Sequence, residues 1–258
     1  MASLTWRALK RLYALSGLRV SKVTATTSSM PPKAVSEVIF HLRDINQAMT
    51  NAWEKEFAPY SNTVKVSCGD IFKGAPAVDA IVSPANSFGF MDGGIDMVYI
   101  NHFGWQMQHR LQAVIRVDYD GEIPVGQAAI IETLPPDDSD ENFKDPQFNE
   151  GKLIKYLISA PTMRVPMDVI HSVNAYLAFR AVIRAVKDHN RTVENPEDQI
   201  NTVLCPGLGT AVGRMPTRRA AFQMRQAFEI CALGKEGPLT NPDCLSAVYN
   251  HHEAMLCY

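Results

Sequence analysis

Two glycine-rich stretches, each preceded by an apolar run of strand length and followed by a helix-like pattern, constrain this 258-residue chain more than any other feature. The first is Asn86-Ser87-Phe88-Gly89-Phe90-Met91-Asp92-Gly93-Gly94-Ile95-Asp96, after the run from Ala77 to Val82. The second is Pro206-Gly207-Leu208-Gly209-Thr210-Ala211-Val212-Gly213, after Val203-Leu204-Cys205. A short, unbroken apolar run suits a strand covered on both faces, as in a parallel sheet. Strand, loop and helix in succession put the loop at the carboxyl edge of such a sheet, where ligands bind. Glycines there let backbone N–H groups approach an anion, and the helix N-terminus adds partial positive charge. Two such loops on one edge can clamp a diphosphate from both sides. Taken singly, either loop also reads as ordinary turn glycines. Neither matches G-x-G-x-x-G with a following acid, nor G-x-x-x-x-G-K-[ST], so a dinucleotide fold and a P-loop NTPase are poorly supported.

The flanking pattern agrees. Val38 to Leu42 reads as a strand, and Asp44 as the cap of a helix through Ala48, Met49, Trp53 and Phe57 that ends by Pro59 and Asn62. Val64 to Cys68 alternates as a strand does. A helix begins at Ile95 and runs on past Phe103 through Leu111, Val114 and Ile115. Ala128 to Ile131 and Leu153 to Ser159 are strands, with a polar, acidic surface loop at 135 to 150 before the second. Val169 to Val186 and Thr217 to Leu233 are helices. Strands alternating with helices indicate an α/β layered fold with helices on both sheet faces.

Composition narrows the function classes. The 46% of hydrophobic residues can fill a sizeable core without staples. No apolar run approaches the ~18 to 20 residues of a membrane span. The formal net charge of -2 hides an asymmetry. Residues 1 to 33 hold six basic residues (Arg7, Lys10, Arg11, Arg19, Lys22, Lys33) and no acid, leaving 19 basic against 27 acidic groups in the rest. An acidic core argues against nucleic acid as a partner. The basic stretch has the composition of a mitochondrial transit peptide, or of a dispensable extension. The five cysteines (Cys68, Cys205, Cys231, Cys244, Cys257) are widely spaced without a C-x-x-C, which argues against a disulfide framework. A reducing compartment is the default: cytoplasmic, or mitochondrial if residues 1 to 33 are a transit peptide. Cys244, His251, His252 and Cys257 fit no standard zinc spacing and read as a helical tail. Arg164, Arg214, Arg218 and Arg219 are candidate cations near the second loop, or members of a solvated face.

At these residues the chain resembles the macro domain family, in a divergent branch. The resemblance rests on Gly69-Asp70-Ile71, on Val78-Asp79-Ala80-Ile81-Val82-Ser83-Pro84-Ala85-Asn86, on Gly93-Gly94-Ile95-Asp96, on Gly126-Gln127-Ala128 and on the second glycine loop. It covers about residues 62 to 232. It implies a three-layer α/β/α fold with a mixed, mostly parallel central sheet. Beside the basic extension at residues 1 to 33, read from its composition as a possible transit peptide or disordered segment, the resemblance implies a single macro-like domain with a C-terminal tail at 34 to 258. The implied partner is ADP-ribose or an ADP-ribosylated protein, with no cofactor, no metal and no membrane, and with the oligomeric state left open.

The resemblance also implies residue roles. Asp70 accepts a hydrogen bond from the adenine amino group, beside the Ile71 N–H, or else caps a turn. Asn86 contacts the distal ribose, or holds an Asx turn. Gly93, Gly94 and Ile95 offer N–H groups to the phosphate or distal ribose, and Gly207, Gly209, Thr210 and Gly213 hold the diphosphate from the other side. Asp96 is the candidate catalytic carboxylate, activating water for attack at the ribose anomeric carbon, or a helix cap, or both. That makes the chain a hydrolase of mono-ADP-ribosyl adducts or related esters, against the alternative of a non-catalytic reader. Three departures stand out. Ser83-Pro84 replaces an Asn-Ala pair, Ile100 stands where the hydrolytic branch has histidine, and Ala211 stands where glycine is common. The paired glutamates of poly(ADP-ribose) glycohydrolases are absent.

Overall fold

The computed structural model describes residues 38–84, 86–134, 148–149, 152–235 and 240–258. The basic stretch 1–33 and residues 135–147 and 150 of the acidic loop lie outside the described residues. In chain order the main elements are β1 (Ile39–Asp44), α1 (Gln47–Phe57), β2 (Val64–Cys68), β3 (Ala80–Ser83), α2 (Gly94–Phe103), α3 (Gln106–Asp118) and β4 (Ala129–Glu132). They continue with β5 (Phe148–Asn149), β6 (Lys152–Leu153), β7 (Tyr156–Ser159), α4 (Asn174–Thr192), β8 (Thr202–Cys205), α5 (Thr217–Cys231) and α6 (Leu245–Cys257). Six strands form one sheet in the order β2-β1-β8-β3-β7-β4. The first five are mutually parallel and β4 runs antiparallel at the edge. The sheet is thus mixed and mostly parallel, with helices on both faces.

Alternation along the strands builds the two helical layers. Phe40, Leu42, Ala80, Val82, Tyr156, Ile158, Val203 and Cys205 face one cluster, against α1, α4 and α5. Ile81, Leu157 and Leu204, the intervening residues, face a second cluster with Tyr99, Ile100, Met107, Leu111 and Ile115 of α2 and α3. On α4, Ala175, Ala178, Phe179, Val182, Ile183 and Val186 recur at three- and four-residue spacing and are buried. Phe40 sits edge-on to Phe179 and Phe228, with centroids 5.4 and 6.1 Å away. Trp53 is fully buried, and its Nε1–H donates to Met224 Sδ at 3.3 Å.

Several element boundaries differ from the sequence expectation, each for a physical reason. The single helix expected after Ile95 is two, broken at Gly104, whose φ of 90 ends α2 while its N–H bonds Ile100 O. The cap of α1 is Asn46, whose Oδ1 accepts the Ala48 N–H at 2.9 Å, and Asp44 is used elsewhere. The strand expected from Leu153 to Ser159 is divided, since Lys152–Leu153 pairs with Phe148–Asn149 in a separate ribbon. The helix expected from Val169 starts at Asn174, and before it Val169 opens a turn, its N–H donating to Gly213 O at 2.9 Å and its carbonyl accepting the Ser172 N–H at 3.2 Å. The expected tail helix is α6, docked on α5 by Gln223 Nε2–H donating to Met255 O and by Tyr258 stacking on Phe222 at 4.0 Å.

Asp79 fixes how β3 meets β8. Its Oδ2 accepts the N–H groups of Asn201 and Thr202 and the Thr202 hydroxyl, at 2.9, 2.9 and 2.8 Å. Its Oδ1 accepts from Lys152 Nζ at 2.6 Å. Burial pushes this carboxyl up, but the Lys152 and Thr202 side chains and the Asn201 N–H outweigh it and hold it below the usual carboxylate range. Asp79→Ala strands two backbone N–H groups and is expected to cost about 2–4 kcal/mol in urea unfolding at pH 7. Lys152→Ala, on a side chain 44% exposed, is expected to cost under about 1 kcal/mol. A depressed folded-state pKa contributes stability above the unfolded value that is lost as pH falls through the folded one. The gap between wild type and Asp79→Ala therefore closes toward low pH.

Candidate functional site

Because five strands are parallel, their following loops share one edge of the sheet. Across it lie, in order, the loops after β2 (Gly69, Asp70, Ile71), β1 (Asp44 to Asn46), β8 (Pro206 to Gly213), β3 (Pro84 to Gly93) and β7 (Ala160 onward). All the site residues named from the sequence are therefore on this edge. Asp70 stands three strand intervals from the end of β3, roughly 14 Å at ordinary strand spacing.

The loop at Gly69 is held by an arginine that sequence reasoning missed. Arg43 is buried on β1, and its Nε–H donates to Asp70 O at 2.6 Å, Nη1 to Ser67 Oγ at 2.8 Å and Nη2 to Lys73 O at 3.1 Å. A Cβ at Gly69 would fall 2.4 Å from Nη2, so the guanidinium needs that glycine. The available signal was a charged residue one position before the end of a strand, on the face opposite Phe40 and Leu42. Asp70 is exposed, and its Oδ1 accepts the N–H groups of Phe72 and Lys73 at 2.9 and 2.8 Å. Those two bonds hold its carboxyl below the usual range. The turn cap is thus present, and the side chain remains at the surface.

In the first glycine loop, Asn86 holds the turn. Its Oδ1 accepts from the Phe88 and Phe90 N–H groups at 3.1 and 3.3 Å, and its Nδ2 donates to Phe90 O at 2.8 Å. The ribose contact implied for Asn86 would fall to its remaining N–H. Gly93 is the N-cap of α2 in extended conformation, and Gly94 has a φ of 56. Both are exposed, and a Cβ on either would meet nothing within 4 Å. Among the described residues, the N–H groups of Gly93, Gly94 and Ile95 find no protein acceptor.

The second loop is similar but corrected at its start. The Gly207 N–H, expected to face a diphosphate, donates instead to Asp44 Oδ2 at 3.1 Å. Among the described residues, the N–H groups of Gly209, Thr210, Ala211 and Val212 find no protein acceptor. Gly209 takes a φ of 70, which glycine allows. Gly213 is set by packing, since a Cβ there would lie 2.6 Å from Gly209 O. Ala211 carries no strain, as the left-handed conformation falls on Arg214, with a φ of 56.

The expected cations are mostly committed. Arg164 donates to both carboxylate oxygens of Glu122, at 2.6 and 3.0 Å, and lies over the Phe88 ring beside the first loop. Arg214 faces Asp168 at 4.0 Å, and Arg219 donates to Ile170 O at 2.6 Å. The main-chain N–H groups of Gly93 to Ile95 and of Gly209 to Val212 remain without an acceptor among the described residues.

Asp96 lies in the first turn of α2 and is 7% exposed. Ser83, fully buried at the end of β3, donates its hydroxyl to Asp96 Oδ1 at 2.6 Å. Burial lifts the Asp96 carboxyl to about 7, against a smaller downward pull from Ser83. Ile100 is buried in the core beneath. His102 stacks flat on Phe72, at 3.8 Å between centroids, and so is engaged away from the histidine position of the hydrolytic branch. Among the described residues no group of three or more His, Cys, Asp or Glu could hold a metal ion, and no helix is long and apolar enough to cross a membrane.

Residues 40–240 match the family described as "Macro-like domain". The chain belongs to the macro-like domain family. An uncharacterized protein of Aquifex aeolicus is 31% identical over 147 residues, 57% of this chain and 70% of the relative. Among solved structures, the macrodomain of Mycobacterium tuberculosis DarG is 19% identical, covering 63% of this chain and 88% of that one, with a TM-score of 0.44. The Oceanobacillus iheyensis macrodomain with ADP is 17% identical over 65% of this chain and 75% of that one, with a TM-score of 0.46. Thermosipho africanus DarTG in complex with ADP-ribose is 15% identical over 62% of this chain and 37% of that one, with a TM-score of 0.44.

An acid whose pKa is about 7 when folded and 3.8 by default makes the folded state lose stability as pH rises from about 4 to about 7. Asp96→Asn removes that slope. The variant's advantage over wild type is expected to grow across this window, to at most about 4 kcal/mol at pH 8. Denaturation midpoints at pH 4, 6 and 8 check it, and a constant difference would mean that Asp96 is an ordinary carboxylate.

Proposed function

We propose that this macro-like domain binds ADP-ribose along its carboxyl edge and hydrolyses mono-ADP-ribosyl adducts or related esters. The observation that carries the binding reading is the pair of N–H runs without protein acceptors, at Gly93 to Ile95 and Gly209 to Val212, on loops that follow adjacent strands. Unsatisfied N–H groups beside a helix N-terminus favour an anion, and two such runs on neighbouring loops suit a diphosphate. Asp70 takes the adenine amino group at one end, with the Ile71 N–H beside it. The distal ribose then lies toward Asn86 and Asp96 at the other. We keep residues 34 to 258 as the unit that performs this function.

Asp96 supports the catalytic reading. A carboxyl near 7 is divided between its two forms at neutral pH, which suits a group that takes a proton from water and returns it. Hydrolysis breaks the bond from the anomeric carbon of the distal ribose to the acceptor atom. Water supplies the new oxygen, and its proton passes through Asp96 to the departing acceptor. Ser83 acts as a positioning residue, since its hydroxyl fixes one carboxylate oxygen of Asp96. The second reading, a non-catalytic reader, is favoured by Ile100 and by the engagement of His102 with Phe72.

Calorimetry with ADP-ribose, followed by release of ADP-ribose from a mono-ADP-ribosylated protein, separates these readings. Asp70→Ala is expected to weaken binding about ten- to a hundredfold, the worth of a hydrogen bond to a charged group. Asp96→Ala is expected to bind and to lose release by at least about a hundredfold. Binding without release in the wild type leaves the reader, and no binding removes both readings.

A further inference from the structure

The end of β1 stands between the loop beginning at Gly69 and the loop beginning at Pro206. Asp44 ties both to itself. Its main-chain carbonyl accepts the Gly69 N–H at 3.0 Å, and its Oδ2 accepts the Gly207 N–H at 3.1 Å. Its Oδ1 accepts the Asn46 N–H at 2.8 Å. A Cβ on Gly207 would lie 2.7 Å from Asp44 Oδ2 and 2.6 Å from Thr210 Oγ1, so carboxylate and hydroxyl converge over one point of the edge. Each carboxylate oxygen accepts one of these N–H groups and keeps a second lone pair.

A carboxylate is an unfavourable neighbour for a phosphate, so its place beside the second loop calls for an explanation. The nearest guanidinium, on Arg43, spends its hydrogen bonds on Asp70 O, Ser67 Oγ and Lys73 O, and the charge of Lys73 acts on Asp70. Asp44 is thus a net acceptor and a negative charge at the midpoint between the adenine and diphosphate loops. The part of ADP-ribose that lies between its base and its diphosphate is the proximal ribose, whose 2′- and 3′-hydroxyls are donors.

We propose that Asp44 sets the specificity of the site: it accepts the proximal ribose hydroxyls and excludes ligands that carry a 2′-phosphate. The inference rests on the ADP-ribose reading above. It uses the same chemistry by which a carboxylate at a ribose favours a free 2′-hydroxyl over a phosphorylated one in dinucleotide sites. A 2′-phosphate would add two negative charges beside a half-buried carboxylate, and like charges at that range repel.

Calorimetry of the full chain with ADP-ribose and with 2′-phospho-ADP-ribose tests it. The wild type is expected to bind the phosphorylated ligand at least about thirtyfold more weakly, with the gap narrowing as salt is raised. Asp44→Asn keeps an acceptor oxygen and removes the charge, and is expected to close the gap to under about fivefold while weakening ADP-ribose itself. Equal binding of both ligands by the wild type, or an unchanged gap in a folded Asp44→Asn, overturns the inference. Where the variant unfolds, the wild-type ratio at low and high salt decides alone. Failure of ADP-ribose to bind at all is a failure of the underlying reading and removes this inference with it.

Discussion

The Asp79 carboxylate is the interaction on which the site geometry depends. It lies at the amino edge of the sheet, yet it holds the start of β3 against the start of β8 through Asn201 and Thr202. With Ala80 opposite Val203 and Ile81 opposite Leu204, the two strands run in step and β3 ends one residue beyond β8. A one-residue slip would turn Val82 and Ser83 to the wrong layers. Ser83 would then no longer face Asp96, and the two glycine loops would start at different heights. A buried acid at one end of the strands thus governs what meets at the other.

At the carboxyl edge, charge is used sparingly. Arg43 spends its guanidinium on main-chain carbonyls and a serine, and Arg164 is neutralised by Glu122. What remains is a set of main-chain N–H groups in two loops that find no acceptor among the described residues. Such donors are fixed by the fold and need no side-chain ordering to meet an acceptor. Asp96 adds the opposite element, a carboxyl that the interior drives toward its neutral form.

Much of this was legible in the sequence because it follows from periodicity and from glycine. The apolar runs before Gly89 and Gly207 announce buried parallel strands, and the macro-like motifs around Asp70 and Asp96 fall on the expected edge. What was not legible depends on pairs distant in sequence. Gly207 looks like a phosphate donor until Asp44, 163 residues away, is seen to accept its N–H. Arg164 looks like a ligand cation until Glu122 is brought to it. The sequence reading placed the cap at Asp44, whereas the geometry at the end of β1 gives it to Asn46, a residue type that caps equally well. The break at Gly104 was missed because α2 and α3 carry apolar residues in a nearly continuous pattern.

The loop after β7 reaches both glycine loops. Arg164 O accepts the Ser87 N–H at 3.0 Å, Met163 forms a bridge with Asn86, and the Val169 N–H donates to Gly213 O at 2.9 Å. This segment is a yoke between the two loops. A shift of either loop strains a hydrogen bond to the common segment, which couples the two loops. Amide hydrogen exchange in the two loops should consequently be correlated, slowing together when either is engaged, although they are more than a hundred residues apart along the chain.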